Sequence, residues 1–206
     1  MPPKNHDLHG NAPDMAPVAL LIIDMISDFE FEDGERLFAQ ALPVAQHLAV
    51  LKRRCKAAAI PVIYVNDNWG RWQSNLEKLV HYVVETPTRG APIARLLAPE
   101  ADDYFVLKPK QSGFFATTLE TLLRYLETRL LILTGVAGDI CVLFTANDAY
   151  MRDFMLVVPE DCVASVDAEA NQRALLHCRR VLRADLTPSQ ALDLAALRRQ
   201  AQAPAE

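Results

Sequence analysis

Continuous apolar runs that end in a charged residue are the feature that most constrains the fold of this chain. VALLIID (residues 18–24), PVIYVND (61–67) and YFVLK (104–108) show little alternation of polar and apolar residues. Strands of a parallel sheet have this pattern, because helices cover both of their faces. Further apolar runs at 130–133 and 154–161, and a short one near 181–186, bring the predicted number of strands to six.

Helical segments separate these runs. Leucines between residues 119 and 126 recur at the spacing of one helix face, and we predict further helices over residues 35–59 and 168–180 and after Thr187. Strands that alternate with helices imply right-handed crossovers and a parallel sheet. We therefore predict an α/β fold, a Rossmann-like three-layer α/β/α arrangement around a central, mostly parallel six-stranded sheet.

Length and composition fit one domain. The 206 residues are 51% hydrophobic and 23% charged, which is ordinary for a globular protein. We predict a single domain over residues 18–200, with a flexible N-terminal tail at 1–17 and a flexible C-terminal tail at 201–206. No apolar run approaches the ~18 to 20 residues that span a bilayer, and the polar N-terminal segment lacks the apolar stretch of a secretory signal.

Charge and cysteine spacing limit the partners and the compartment. The net charge of −5 includes no basic stripe that would follow a phosphate backbone, so we predict no nucleic-acid partner and no membrane partner. The four cysteines are scattered, without a C-x-x-C pair or histidines at the spacing of a zinc site, at Cys55, Cys141, Cys162 and Cys178. This usage indicates a reducing, cytoplasmic compartment.

Cys141 lies where an apolar strand, a glycine-containing turn and a helix meet, in LILTGVAGDICVLFTA (residues 131–146). In the first turn of a helix, free backbone N–H groups and the macrodipole stabilise an anion, so this position favours a thiolate nucleophile. The alternative is a cysteine that packs as a small buried hydrophobe, and this stretch alone leaves both interpretations open.

Asp24, Lys108 and Cys141 follow three different strands of the predicted sheet. Open α/β sheets bind ligands at the carboxyl ends of their strands, where these three side chains would meet. Attack on a carbonyl group needs a nucleophile, a proton carrier and donors for the oxyanion. Asp24 could carry the proton, and Lys108 could keep Asp24 and the thiolate ionised. The alternatives are a carboxylate that caps backbone amides and a lysine on a solvated rim.

Several catalytic motifs are absent from the sequence. The seven glycines form neither G-x-G-x-x-G nor a phosphate-binding G-x-x-x-x-G-K-[ST] loop, which argues against a dinucleotide enzyme and a P-loop NTPase. There is also no G-x-S-x-G sequence, so a serine hydrolase of that type is not indicated.

Three motifs in this order resemble the isochorismatase-like cysteine hydrolases, the superfamily that includes nicotinamidases and N-carbamoylsarcosine amidohydrolase. LLIIDMISDFEF resembles the first strand of that family, VLKPKQSGFFATTLETLL the lysine segment and LTGVAGDICVLFTANDA the nucleophile segment. The resemblance covers about residues 18–186. It implies that Asp24 is the catalytic acid, Lys108 the catalytic lysine and Cys141 the nucleophile.

The resemblance also has implications for the substrate pocket. It implies a cis peptide bond between Val136 and Ala137, with an oxyanion hole formed by the N–H groups of Ala137 and Cys141. The predicted substrate-binding residues are Phe29, Asp67, Trp69, Phe114 and Val136. Trp69 and Trp72 line the pocket or, alternatively, form a subunit contact. Gly138 departs from the family, whose members usually have a bulkier polar residue at that position.

The segment after the second strand bears on a metal site. Nicotinamidases carry an Asp with nearby histidines there, whereas this chain reads NDNWGRWQSN, with Asp67 but without a histidine. We therefore predict no catalytic metal and no cofactor.

The resemblance implies a hydrolase that cleaves a small C–N amide or ureido substrate through a thioester on Cys141. One alternative is vinyl-ether hydrolysis of the isochorismatase type, which requires no thiol. Another is a non-catalytic oligomeric protein with a reactive thiol. Apolar residues on the helix after Cys141 predict a homo-oligomer, a dimer or a tetramer, and these residues are Leu143, Phe144, Tyr150 and Met151.

Overall fold

The computed structural model describes residues 15–67 and 76–203. Its strands are β1 (Val18–Ile23), β2 (Val62–Asp67), β3 (Tyr104–Lys108), β4 (Leu130–Val136), β5 (Met155–Val157) and β6 (Val163–Ala164). They form one six-stranded sheet in the order β3-β2-β1-β4-β5, in which β6 also pairs with β4. All of the strand pairs are parallel, which confirms the predicted α/β class.

Helices cover both faces of the sheet. They are α1 (Gly34–Ala57), α2 (Leu76–Glu85), α3 (Ala91–Leu96), α4 (Leu119–Tyr125), α5 (Leu143–Tyr150), α6 (Ala168–Arg180) and α7 (Leu194–Gln202). Side chains of α1, α2, α3 and α7 pack on one face, and those of α4, α5 and α6 pack on the other. The three-layer prediction is thus confirmed. Within the described ranges, no helix combines the length and the apolar character needed to cross a bilayer.

Strand β1 shows why the apolar runs are continuous. Alternate residues of the strand belong to the two different core clusters, one on each face of the sheet. Every one of the six residues is at most 1% exposed. A strand that is covered on both faces has no solvated side, so apolar residues occupy every position.

Two predicted elements differ from the structure. The sixth strand is Val163–Ala164 and does not lie near residues 181–186, where the structure has only an isolated bridge between Val157 and Asp185. The apolar run at 154–161 forms only the short β5, because Pro159 interrupts it and proline has no N–H for the ladder. The last helix starts at Leu194 rather than after Thr187, and the Asp193 side chain accepts a hydrogen bond from the N–H of Ala196 as its N-cap.

The folded part extends beyond residues 18–200 at both ends. Ala16 is buried, its N–H donates to the carbonyl oxygen of Leu126, and its carbonyl oxygen accepts a hydrogen bond from Thr128. At the other end, α7 continues to Gln202 and Ala201 is buried. Hydrogen bonds and burial therefore include Ala16 at one end and Ala201 at the other.

Helix α1 is continuous through Pro43. Pro43 therefore lies inside one helix and does not begin a second one.

Gly135 allows the two central strands to approach closely. It lies opposite Ile23 in the register of β1 and β4, and its φ of +112° is a conformation that L side chains rarely adopt. A Cβ at this position would lie 2.0 Å from the carbonyl oxygen of Ile23. The β1 and β4 pairing at the edge that carries the site thus depends on glycine.

We expect Gly135→Ala to lower the free energy of unfolding by about 3 kcal/mol, because the added methyl group meets backbone atoms and the φ angle becomes strained. Urea unfolding measures the change. Gln40→Ala on the exposed side of α1 is the control, with an expected change within about 0.5 kcal/mol. Equal stability of Gly135→Ala and the wild type would contradict this account of the strand contact.

Candidate active site

The fold brings Asp24, Lys108 and Cys141 together at the carboxyl edge of the sheet. Asp24 follows β1, Lys108 is the last residue of β3, and Cys141 lies in the turn after β4. The Nζ atom of Lys108 is 2.8 Å from Oδ2 of Asp24 and 3.4 Å from Sγ of Cys141. The three residues predicted from separate segments thus form one contiguous group.

Backbone contacts fix the Asp24 carboxylate. Its Oδ1 accepts a hydrogen bond of 2.7 Å from the N–H of Asp67, while Oδ2 faces Lys108. The Asp24 N–H donates to the carbonyl oxygen of Val65, and its φ of 53° turns the chain sharply after the strand. Asp24 therefore does cap a backbone amide, as the alternative interpretation held, and the same carboxylate also pairs with the lysine.

Lys108 is buried, with 2% of its surface exposed. Its Nζ donates to the carbonyl oxygen of Lys110 at 3.2 Å, in addition to its contacts with Asp24 and Cys141. An ammonium group has three donors, and these three partners match them. The alternative of a lysine on a solvated rim is therefore wrong.

The turn that carries Cys141 is a π-helical turn, Gly138–Val142, which leads into α5. The carbonyl oxygen of Ala137 accepts hydrogen bonds from the N–H groups of Ile140 and Val142, both at 3.1 Å. The hydroxyl of Thr145 donates to the carbonyl oxygen of Cys141 at 2.7 Å. The peptide bond between Val136 and Ala137 is cis, as predicted. Cys141 thus lies in the first turn of a helix, as the sequence indicated.

Close packing explains the glycine at position 138. A Cβ there would lie 2.2 Å from Oδ1 of Asn171 and 2.5 Å from a methyl group of Val163. Ser165 joins this contact, because its hydroxyl donates to Asn171 Oδ1 and accepts from the N–H of Asp139. The side chain expected from the resemblance has no room here.

Burial and the neighbouring charges shift the pKa of the three side chains in the site. Burial and the charge of Asp24 raise the pKa of Cys141 to about 12, although Lys108 acts in the opposite direction. Burial also raises the pKa of Asp24, against the lowering effect of Lys108. Burial lowers the pKa of Lys108, but the charge and the hydrogen bond of Asp24 act in the opposite direction, and the net shift is upward. Burial and the Asp24 carboxylate therefore oppose the ionisation of the thiol that the helix start and Lys108 favour.

A pocket of about 750 Å³ opens at this group. Of the predicted residues, those that line it are Asp24, Phe29, Asp67, Lys108, Val136, Ala137 and Cys141. Further lining residues that the sequence analysis did not select are Ile26, Phe31, Asn66, Lys110, Gln111 and Ile140. Asn66 has a signal that could have identified it, since it is a polar residue inside the apolar run of β2, next to a predicted site residue. Ile140 and Phe31 have no comparable signal, because exposed apolar residues occur on every protein surface.

Phe114 does not line this pocket. It is buried in the core cluster that α4, α5 and α6 cover, where its ring lies 6.0 Å from that of Phe154 and the Arg152 guanidinium lies over it at 4.9 Å. The prediction that Phe114 binds substrate is therefore wrong, because its apolar environment fixes it in the core. Trp69 and Trp72 lie outside the described residues.

The residues around Asp67 do not fit a metal ion. In the described segments, no group of three or more His, Cys, Asp or Glu side chains could hold one. The site's lysine is in register with Asp67 on the adjacent strand, and the sequence has no histidine between His47 and His81. A lone carboxylate beside an ammonium group is a poor cation site, since transition metals in such pockets rely on imidazole or thiolate ligands.

Alkylation tests this electrostatic account. Cys141 is the partly exposed cysteine and the other three are buried, so iodoacetamide should label Cys141 first, slowly at neutral pH and faster as the pH rises. Asp24→Asn removes a charge that raises the thiol pKa, so we expect its labelling at pH 7.5 to be faster than that of the wild type. Peptide mapping measures the rates, and Cys141→Ser is the control. Slower labelling of Asp24→Asn would contradict the assigned role of the Asp24 charge.

The chain is similar to proteins of one family. The family model described as "Isochorismatase domain" matches residues 18–188. The chain is 44% identical over 172 residues to the uncharacterised isochorismatase family protein YaaI of Bacillus subtilis, which covers 84% of this chain and 94% of that protein. It is 28% identical over 183 residues to the ureidoacrylate amidohydrolase RutB of Enterobacter sp., with coverage of 77% and 80%.

A solved structure has the same fold. The N-carbamoylsarcosine amidase from Thermoplasma acidophilum aligns with a TM-score of 0.66 at 24% identity, over 86% of this chain and 99% of that one. This likeness concerns the three-layer architecture, while the family assignment follows from the extent of the domain match and the identity to YaaI. The chain therefore belongs to the isochorismatase family of hydrolases.

Proposed function

We propose that this hydrolase is a cysteine amidohydrolase that cleaves the C–N bond of a small amide or ureido substrate through a thioester on Cys141. The observation that carries the proposal is the position of the Lys108 ammonium, in contact with both the Asp24 carboxylate and the Cys141 sulfur at the pocket. The amidohydrolase name of RutB supports the ureido class of substrate. No metal or cofactor takes part in the proposed reaction.

In the first half of the reaction, the thiol gives its proton to Asp24 as the sulfur attacks the carbonyl carbon. A raised carboxyl pKa makes Asp24 a stronger base, and Lys108 stabilises the sulfur as charge develops on it. The tetrahedral intermediate then collapses, its C–N bond breaks, and Asp24 returns the proton to the leaving nitrogen. The products of this half are an amine or ammonia and a thioester on Cys141.

In the second half, water attacks the thioester and gives a proton to Asp24. The C–S bond breaks, Asp24 returns the proton to the sulfur, and the acid product leaves. We assign the oxyanion hole to the N–H groups of Ala137 and Cys141, on the two sides of the turn that ends β4. The same carboxylate thus acts as base and as acid in each half, which its contact with Lys108 permits.

The two alternative functions, vinyl-ether hydrolysis and a non-catalytic role, account for fewer features of the site. A vinyl-ether hydrolase needs an acid to protonate its substrate, but it has no use for a thiol in contact with the lysine and the carboxylate. A non-catalytic protein has no use for a buried ion pair beside a pocket, since buried charges are costly to desolvate. Both alternatives are less well supported than the amidohydrolase.

The pocket residues and the exposed residues of α5 bear on the partners. A pocket of about 750 Å³ suits a small molecule, and within it we assign substrate contacts to Phe29, Asp67 and Val136. The homo-oligomer is part of the same proposal, supported by exposed Phe144, Tyr150 and Met151 after the nucleophile. Leu143 packs against the core instead.

Intact mass spectrometry tests the proposed intermediate. The substrates to be tested as a panel are ureidoacrylate, N-carbamoylsarcosine and nicotinamide. The wild type should release ammonia from at least one of them and carry an acyl adduct. Asp24→Asn should reduce the acylation rate by about 10²- to 10⁴-fold, because no acid protonates the leaving nitrogen, although its thiol still reacts with iodoacetamide. Cys141→Ser should carry no thioester, whereas Cys178→Ala, at a buried cysteine outside the pocket, should acylate normally. An adduct on a residue other than Cys141 would refute the mechanism.

The pH dependence of turnover tests the role of Lys108. Its charge and its hydrogen bond lower the pKa of Asp24, so Lys108→Met should let that pKa rise further. Since Asp24 must be ionised to accept the thiol proton, the acidic limb of kcat/KM should move to higher pH. The value of kcat/KM at the optimum pH should also fall, because the Lys108 ammonium no longer stabilises the charge that develops on the sulfur. An acidic limb at the wild-type pH would show that a different group titrates there.

A further inference from the structure

An unpaired buried acceptor lies in the wall of the catalytic pocket. Asn66, on β2, is 1% exposed and lines the pocket. Among the residues that the structure describes, nothing donates a hydrogen bond to its Oδ1 atom, which is buried. Buried side-chain oxygens are almost always paired, because an unpaired one loses its hydration without compensation. We therefore expect a hydrogen-bond donor to bind at this oxygen.

The orientation of the Asn66 amide is fixed by its other contact. Its Nδ2 donates to the carbonyl oxygen of Ile26 at 2.7 Å. If the amide were turned over, Oδ1 would face that carbonyl oxygen and two acceptors would be in contact. The unpaired atom is therefore the acceptor, and a molecule that satisfies it must present an N–H or O–H group.

The position of Asn66 relates it to the bond that breaks. The next residue, Asp67, donates its N–H to Oδ1 of Asp24, the proposed proton carrier. Asn66, Asp24 and Cys141 all line the same pocket. Asp24 must reach the leaving nitrogen to protonate it, so that nitrogen lies close to the strand end that carries Asn66. In both amide and ureido substrates, an unsubstituted or monosubstituted leaving nitrogen has an N–H to donate.

We propose that Oδ1 of Asn66 accepts a hydrogen bond from the N–H on the nitrogen of the scissile bond, and that Asn66 thereby selects amides over esters. The inference rests on the proposed function, since it concerns the same bond. An ester places an oxygen without hydrogen at this position, so the acceptor stays unpaired and faces lone pairs. A site built to bind a donor discriminates strongly against an analogue that lacks it.

The test compares kcat/KM for two substrates in variants of Asn66. The first is the best amide of the panel above, and the second is its analogue with a methoxy group in place of the leaving amino group. In Asn66→Leu, which has a similar volume but no acceptor, kcat/KM for the amide should fall about 10- to 100-fold, while kcat/KM for the methoxy analogue stays within about 3-fold. Asn66→Ser provides a second variant at the same position, with the same expected change in the ratio of the two values.

A matched control separates this role from a structural one. Thr134 is fully buried and donates to the carbonyl oxygen of Leu21 at 2.7 Å, but it does not line the pocket. Thr134→Val removes one buried hydrogen bond next to β1, as Asn66→Leu does, and its ratio of amide to methoxy turnover should equal that of the wild type. If both substrates lose the same factor in the Asn66 variants, Asn66 only supports the loop after β1 and the inference is wrong, while the proposed function stands. A wild-type enzyme that hydrolyses the methoxy analogue but no amide would overturn both.

Discussion

The buried ion pair between Asp24 and Lys108 is the interaction on which the site depends. Their strands, β1 and β3, are not neighbours, because β2 lies between them, and at the usual strand spacing they are about 9.5 Å apart. Only a long side chain at the end of β3 can cross that gap. Buried charges are tolerated when their donors and acceptors are hydrogen-bonded. Here the Asp67 N–H donates to Asp24, and Lys108 donates to the carbonyl oxygen of Lys110. The sheet order therefore explains why this cation is a lysine.

The same ion pair shifts the pKa of the Cys141 thiol. The sulfur of Cys141 has a cation and an anion as neighbours, and burial adds to the effect of the anion. The helix start alone would favour a thiolate, yet it is weaker than these two effects together. Because only the thiolate reacts quickly with electrophiles, a raised thiol pKa slows the reaction of Cys141 with electrophiles and oxidants at neutral pH. In this arrangement, the reactivity of the sulfur depends on whether the Asp24 carboxylate is ionised or protonated.

Sequence patterns predicted the architecture well because the strands are buried on both faces. The apolar pattern of the sequence alone predicts β1, β2 and β3 and the residues that end them, and the order of three motifs places the acid, the lysine and the thiol at one edge. The two-residue strand β6 could not be predicted, since so short a segment has no periodicity. Phe114 was misplaced because its sequence neighbourhood does not show which way the loop after Lys108 turns. The thiol pKa depends on burial and on through-space charges, which a sequence does not specify.

The contact between Gly138 and Asn171 has a consequence for the evolution of this pocket. The two residues come from different elements, the nucleophile turn and α6, and the amide oxygen of one occupies the space of a side chain on the other. A larger residue at position 138 meets both Asn171 and Val163, so the effect of a substitution at position 138 depends on the residues at positions 163 and 171. Such a dependence of one substitution on another residue is called epistasis, and here it restricts the substitutions that position 138 tolerates. A bulkier side chain at position 138 is therefore expected to fit only together with smaller residues at the facing positions, not as a single substitution.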